Sequence, residues 1–520
     1  MHYDVVIAGG GFAGAYCARA LGKSLGRTEG EKRVALIAER NVLVFQPMLA
    51  EVAGSALTAT DVVNPLRQFC HGVTVLQGNI HAIDWEQKQL LLDGGRFTRN
   101  HGLTFNHLVL ALGSVTDLSN VPGLADYGRP MKNVADAERL RAAVINRLEE
   151  ANLTEDPAVR ARLLTIVVVG GGYTGVETAG QLLDFVRDAH RFYTQLRDTK
   201  PRVVLVHSRG RLLQEIGEKL GAYAEDVLEE AGVELRLNTR VTEVSTSRVT
   251  FENGETLATN TVVSTIGSAP NPLVLDLCRQ LGLTAERGRV AVAPTLRVPG
   301  HETLWAAGDC AAVPWEDKGE TKIAPPTAQF ALRQGTVLGK NLARVLRGAE
   351  PEPFTYRYLG QLATIGKRQA VAEVMGFHFR GFIAWWMWRT IYLGKLPGLL
   401  RKLRVVIDWT FDLVFPRDIS VLSPPPEETL RSIHLEKGEI LFLRGDRMRA
   451  VFYLKAGRLL LSTPGEPPGT LEPGTIIDQA QIDVDQKWTC SVHAAESSDL
   501  IAFRGRALEL LQTELKLVKR

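Results

Sequence analysis

Two stretches of this chain repeat one pattern. YDVVIAGGGFAGAYCARAL, near the N-terminus, and LLTIVVVGGGYTGVETAGQLL, further on, each run from consecutive apolar residues into Gly-x-Gly-x-x-Gly and then into a small-residue helical stretch. The apolar runs are Val5 to Ala8 and Val167 to Val169; the glycines are Gly9, Gly11 and Gly14, then Gly170, Gly172 and Gly175. Strand, tight turn and helix are predicted at both places. A side chain at these glycines would hold the backbone away from a pyrophosphate, whose charge the free N–H groups of a helix N-terminus can meet. One such loop decides little, because Gly-rich turns are common. Two in the same setting point to an α/β chain with two Rossmann-type units and imply two dinucleotides.

In such a unit the second strand usually closes on an acid that accepts hydrogen bonds from the adenosine ribose. In the first unit the strand VALIAERN offers Glu39, with Ala38 as the other residue at the strand end. In the second, VVLVHSRGRLL has no acid: His207, Ser208, Arg209 and Arg211 stand there instead. Hydroxyl and guanidinium groups suit a 2′-phosphate that a carboxylate would repel, so NADPH stands beside NADH as a candidate. A merely solvated basic loop, with NADH bound, is the equal alternative.

HETLWAAGDCAAV ends an apolar strand in Gly308-Asp309, where a carboxylate at a helix start can accept hydrogen bonds from a flavin ribityl chain. FNHLVLALGS, with Gly113, and TVVSTIGSAPNP, with Gly267, read as the crossover strands expected where one nucleotide domain is inserted in another. The expected organisation is a first domain over 1–135 and 276–350, an inserted domain over 136–275, a C-terminal region over 351–420, a linker over 421–427 and a last domain over 428–520.

The composition, 45% hydrophobic and 23% charged, is that of a globular chain, and a net charge of +3 spread along 520 residues argues against a nucleic-acid partner. Cys17, Cys70, Cys278, Cys310 and Cys490 are scattered without metal-ligand spacing, so no metal site and a reducing compartment are expected. Met1 leads directly into a strand-like run without the regions of a secretion signal.

These motifs resemble the two-dinucleotide-binding flavoproteins and, within them, the type II NADH dehydrogenases, single-subunit NAD(P)H:quinone oxidoreductases. FQPMLAEVAG (Phe45 to Gly54), PPTAQFAL (Pro325 to Leu332) and YLGQLATIGKRQAVA (Tyr358 to Ala372) carry the narrower resemblance. It implies FAD on Gly9, Gly11, Gly14, Glu39 and Asp309, and NADH or NADPH on Gly170, Gly172, Gly175 and Glu177, the last beside the nicotinamide. It also implies that Ala328 and Gln329 lie where flavin and quinone meet and that Lys367 closes that pocket. The family commonly repeats glutamine four residues after the first; here Arg333 stands there, with Gln334 next to it. A sulfide:quinone oxidoreductase shares the fold but needs redox cysteines near the flavin. A flavin-containing sensor is the reading from another class.

FIAWWMWRTIYLGKLPGLLRKLRVVIDW, Phe382 to Trp409, holds half of the chain's eight tryptophans among many cations. Its apolar run is shorter than the about 20 residues a spanning helix needs. Leu399, Leu403, Val406 and Val414 fall near one face, and Arg401, Arg404, Asp408 and Asp412 mark another. Tryptophans at the headgroup level and cations near an anionic leaflet predict a peripheral anchor over Phe382 to Phe415, on the cytoplasmic face of the cell membrane, where a quinone is met. The alternative is a helix pair buried in a homodimer.

After SPPPEETL the grammar changes to short strands separated by Gly, Pro and Asp turns, then the helical ALELLQTELKLV. A small β-roll is expected, similar to the cyclic nucleotide-binding domain through KGEILFLRGD and VFYLKAGRLLLS. The stretch GTIIDQAQIDVDQKWTCSVHA lacks the Gly-Glu pair and arginine that grip a cyclic phosphate in that family. The roll is therefore expected to serve as a protein-interaction module.

Overall fold

The apolar run before the first glycine loop forms an interior strand of the larger sheet in the computed structural model. The structure describes residues 1–95, 98–317, 319–366, 368–421, 430–435, 437–446, 448, 450–477 and 487–503. Two compact units result, 1–94 with 100–420, and 95–99 with 421–520.

In the first unit β1 (His2–Ala8) leads through the glycine loop into α1 (Phe12–Leu25) and back into β2 (Val34–Ala38). After α2 (Leu49–Ala53) come β3 (Thr74–Gln77), β4 (Asn79–Asp84), β5 (Gln89–Asp93) and β6 (His101–Leu110). The sheet runs in the order β3-β2-β1-β6-β5-β4, with β1, β2, β3 and β6 parallel. All five residues of β2 are buried, the continuous apolar pattern of a strand covered on both faces.

The chain then builds a second sheet. β7 (Gly128–Pro130), α3 (Val134–Leu153), β8 (Thr165–Val169), α4 (Tyr173–His190), β9 (Arg202–Val206), β10 (Val233–Arg236) and β11 (Thr261–Ser264) give a fully parallel sheet ordered β7-β11-β8-β9-β10. It returns to the first sheet through β12 (Leu304–Ala306), which pairs with β6, Leu304 opposite Leu108. The second sheet is thus threaded between two parts of the first.

α5 (Ala328–Val345) closes the first layer by lying on α1 at backbone distance. A Cβ at Gly335 would sit 2.1 Å from the Ala13 carbonyl oxygen, and one at Gly339 would sit 2.4 Å from that of Cys17. Glycines one helical turn apart therefore let the two helices touch. Beyond α5 a small antiparallel sheet follows, β13 (Gly360–Gly366), β14 (Gln369–Val374) and β15 (Phe377–Arg380), and then α6 (Gly381–Lys395) and α7 (Leu399–Phe411).

The second unit is all β among its described residues. Its strands are β16 (Leu430–Leu435), β17 (Ile440–Phe442), β18 (Val451–Ala456), β19 (Leu459–Ser462), β20 (Gly469–Leu471), β21 (Ile476–Ile477), β22 (Ser491–Ala494) and β23 (Ser498–Phe503). They form two antiparallel sheets of four strands, β16-β23-β18-β21 and β17-β22-β19-β20. The core includes Phe442 stacked on Trp488 with ring centroids 4.0 Å apart. The helix read in ALELLQTELKLV, most of the linker and residues 478–486 of the cassette stretch lie outside the described residues.

Gly335→Ala drives a methyl into the α1 backbone, and overpacking of this kind costs about 1–3 kcal/mol. Denaturant unfolding is expected to show that loss, with Gly394→Ala as the control: it too lies in a helix, and no atom lies within 4 Å of its Cβ position.

Candidate active site

The two glycine loops are built alike, and their glycines are of two kinds. Gly9 has φ +116° and Gly170 φ +115°, a backbone region open mainly to glycine. A Cβ on Gly14 would lie 1.8 Å from the Gly9 carbonyl oxygen, and one on Gly175 would lie 1.7 Å from that of Gly170. These four are demanded by the turn itself. Gly11 and Gly172 are not: both are extended, φ −74° and −79°, and no atom lies within 4 Å of either Cβ position. They occupy the N-cap positions of α1 and α4, where Ser, Thr or Asp would ordinarily add a capping bond. Bare backbone at a helix N-terminus with free space before it fits a phosphate group.

Before the first loop lies a cavity of about 390 Å³. Gly9 to Ala13, Glu39, Gly113, Lys132, Asn271, Gly308, Asp309 and Ala328 line it, so seven of the residues singled out in the sequence for the first nucleotide, Gly9, Gly11, Glu39, Gly113, Gly308, Asp309 and Ala328, come together there. Gly14 packs beneath the loop. Asp309 is held above the usual carboxylate range by burial, against the pull of Lys132 and Arg289. Gly308 takes φ +79°, and its N–H donates to Gln334 Oε1 at 2.8 Å. Gln334, not the residue four after Gln329, therefore carries the buried amide. Arg333 turns the other way: it donates to the Gln329 carbonyl at 2.7 Å and covers the Tyr356 ring at 4.2 Å. Gln329 Nε2 reaches the Gly360 carbonyl at 3.5 Å, tying the start of α5 to β13.

Strand register equates the two units residue by residue. Ala8 pairs with Ile37 and Val169 with Val206, so Ala38, Glu39 and Arg40 correspond to His207, Ser208 and Arg209. Ser208 thus occupies the place of the acid. His207 is a brace: its Nδ1 accepts from the Gly171 N–H at 3.1 Å, and burial and Arg209 lower its pKa. Ser208 and Arg209 are exposed, and Arg209 donates to the neutral Gln214 side chain. Gly267 mirrors Gly113 in register: Ala8 pairs with Leu110 and Val169 with Ser264, and each glycine stands three residues further on, with φ +64° at Gly113 and +89° at Gly267. Their surroundings differ: Gly113 opens on the cavity, while the Gly267 carbonyl accepts from Asp117 N at 2.7 Å.

Glu177 is buried on the second turn of α4, and Gly180, whose Cβ would lie 2.3 Å from the Ile365 carbonyl, lets that face approach β13. Glu177 accepts from Thr364 N at 3.2 Å. Burial pushes its pKa up to about 8 although that bond opposes it, and Glu51 raises it further. Glu51 is itself buried in α2 and pushed up to about 7, chiefly by burial, against Arg389 and a hydrogen bond from Trp409 Nε1 at 3.2 Å. This second carboxyl went unread in the sequence; its signal is one acid in the otherwise apolar LAEVA. Lys367 lies outside the described residues.

The C-terminal helices depart from expectation. Trp385, Trp388 and Trp409 are buried, and of the segment's four tryptophans only Trp386 is exposed, so headgroup anchoring by the tryptophans as a group is corrected. Aromatic packing explains it: a row runs from Phe12 through Phe45, Tyr392 and Trp388 to Trp409, with successive centroids 6.1, 6.0, 4.7 and 6.2 Å apart. On α7 the apolar face points outward. Leu399, Leu400, Leu403, Val406, Ile407 and Phe411 are exposed, while Arg401, Asp408 and Asp412 are partly covered. No helix among the described residues is long and apolar enough to cross a membrane.

Comparison with known proteins agrees with this geometry. The pyridine nucleotide-disulphide oxidoreductase family matches residues 3–335, and the NDH2 C-terminal domain matches residues 358–418. The type II NADH:quinone oxidoreductase Ndh of Mycobacterium tuberculosis is 30% identical over 427 residues, 80% of this chain and 89% of that protein. The chain belongs to the type II NADH:quinone oxidoreductases. A probable NADH dehydrogenase of Dictyostelium discoideum is 29% identical over 74% of this chain and 85% of its own. The structure of NDH2 from Plasmodium falciparum in complex with NADH superposes with TM-score 0.74 at 18% identity, covering 80% of this chain and all of that one, which is a likeness of fold.

For this type II oxidoreductase the buried acids set a pH dependence of stability. Their ordinary value is 4.5 and their folded values are about 7 and about 8, so between these limits the folded chain holds more protons than the unfolded one. Stability is then full at acid pH and declines as pH rises toward about 8. Glu177→Gln, which cannot ionise, is expected to gain melting temperature relative to the parent as pH is raised from about 5.5 to about 8 in calorimetry.

Proposed function

We propose that this chain carries FAD in the first cradle, accepts a hydride from NADH or NADPH held on the second, and reduces a quinone. The cavity before Gly11 supports the flavin reading most directly: bare backbone, a strand-end Glu39 for the ribose and Asp309 for the ribityl hydroxyls line one space. When bound, the flavin supplies the redox chemistry, and the protein positions and shields. Gly170, Gly172 and Gly175 hold the nicotinamide dinucleotide, Glu177 lies toward its ring, and Ala328 and Gln329 border the quinone. The five cysteines are unpaired and buried, which favours this over sulfide oxidation.

At the adenosine end of the second cradle, Ser208 and Arg209 suit a 2′-phosphate and His207 supports the loop beneath them. The outward apolar face of α7, with Phe382, Ile383 and Trp386 of α6, is proposed to lie in the lipid surface over Phe382 to Phe415, on the cytoplasmic leaflet, where its cations meet anionic headgroups. The paired four-stranded sheets support a cyclic nucleotide-binding-like roll, taken here as an interaction module. The linker at 421–427 and the division into 1–135, 136–275, 276–350, 351–420 and 428–520 are part of the same proposal.

The test is the colour of the purified full chain. NADH or NADPH should bleach the yellow protein and a soluble quinone should restore it; bleaching without fast recovery would favour the sensor. Loss of a charge-assisted bond of 1.5–3 kcal/mol makes Arg209→Ala weaken NADPH by about 10- to 100-fold and NADH little. Equal losses for both nucleotides would remove the 2′-phosphate assignment.

A further inference from the structure

We propose that Glu51 is a proton-loading residue for quinone reduction: it passes to Glu177 the proton that each turnover takes from solvent, held in place by the buried tryptophans of the C-terminal helices. The inference rests on the quinone-reductase reading. In that reaction NAD(P)H, one proton and a quinone give NAD(P)+ and a quinol. The hydride brings both electrons and one hydrogen nucleus. Both quinol oxygens carry hydrogen, so a second proton must reach a site walled by protein and lipid.

The geometry places two buried acids on adjoining helices beside the nicotinamide loop. α2 is short and apolar except for Glu51, and it packs on α4, which carries Glu177. Glu51 is 3% exposed and Glu177 9%. Arg389 is the strongest charge neighbour of Glu51, yet among the described contacts neither it nor Arg417 makes a hydrogen bond or salt bridge to that acid. Arg417 Nε bonds Asp412 at 3.0 Å, and its Nη1 donates to the Gly54 and Gln181 carbonyls. Arg389 lies between the rings of Trp385 and Trp409, 3.9 and 4.7 Å from their centroids, with Asp412 at 3.9 Å. Glu51 receives only the indole N–H of Trp409 among its described hydrogen bonds.

The indole N–H of Trp388 makes no hydrogen bond of standard geometry, yet it lies close enough to Glu177 to lower that acid's pKa. The titratable and charged groups facing the pair are Tyr173 on α4, Arg389 and Tyr392 on α6, and Asp412 and Arg417 beyond α7, with Asp184 of α4 4.0 Å from Arg417; Arg141 of α3 is engaged by Ser55 and Asp418. Such surroundings leave both carboxyls able to gain and lose a proton near neutral pH, the condition for proton transfer at working pH. Glu51 acts through Glu177, as a positioning and relay residue.

The experiment uses the flavin-loaded full chain in stopped flow, reduced by NADH and then reoxidised by a soluble quinone from about pH 6 to about pH 9. Glu51→Gln is expected to leave flavin reduction unchanged, slow reoxidation about tenfold below about pH 7, where Glu51 holds its proton in the parent, and converge with the parent at the alkaline end, so that one break is lost from the pH profile. Trp409→Phe removes the N–H that favours the carboxylate and should move that break to higher pH. Infrared spectra of the resting oxidised protein should lose one titrating protonated-carboxyl band in Glu51→Gln. An unchanged reoxidation profile together with an unchanged band would overturn the proposal. If Glu51→Gln fails to fold, Trp409→Phe carries the test through the position of the break, and a break left at the parent's pH would overturn the proposal. Failure of any quinone to reoxidise the parent protein would instead bring down the quinone-reductase reading, and this inference with it.

Discussion

Two backbone positions, Gly11 and Gly172, lack side chains although nothing in the polypeptide forbids them. Their neighbours Gly9, Gly14, Gly170 and Gly175 are explained by the turn and by contacts under 3 Å. The bare N-caps are explained only by a group outside the chain, and the remainder of the first unit is arranged around that requirement. Parallel sheets bring both helix N-termini to the carboxyl ends of their strands, where ligands of open α/β sheets bind. Gly335 and Gly339 then let α5 lie against α1, which places Ala328 and the Gly308 loop on the same cavity.

The second constraint is electrostatic. α6 and α7 bring Trp388, Trp409 and Arg389 inward and, with Arg417 just beyond α7, onto two carboxyls that could otherwise have been left in water, while the apolar side of α7 faces out. Burying acids opposes stability and needs a compensating role, and clusters of buried acids with displaced pKa values mark functional sites more often than scaffolds. The same helices thus serve the interior with their polar and aromatic side and leave a greasy exterior for another surface.

Much of this was legible before any coordinates. The strand-loop-helix repeats, the crossover strands and the late change to short strands all follow from local periodicity and turn residues, and they correspond to β1, β8, β6, β11 and the paired sheets of the second unit. The misreadings concern side-chain direction. Tryptophan spacing in α6 permits either a lipid-facing or a core-facing row, and only the aromatic partners Phe45 and Tyr392, distant in sequence or set by helix orientation, choose between them. The support that His207 gives to the loop was not legible, because its bond to Gly171 is a contact across 36 positions. Glu51 was invisible because burial is a tertiary property and its partner Trp409 lies 358 residues away.

The central claim is that each bare N-cap exists for a different dinucleotide, and bound flavin per chain in Gly11→Val and Gly172→Val tests it most directly. Valine is compatible with the extended backbone at both places and meets no protein atom within 4 Å at its Cβ. The account requires Gly11→Val to purify folded and colourless and Gly172→Val to purify yellow. Full flavin in both, or its loss from Gly172→Val alone, would contradict it.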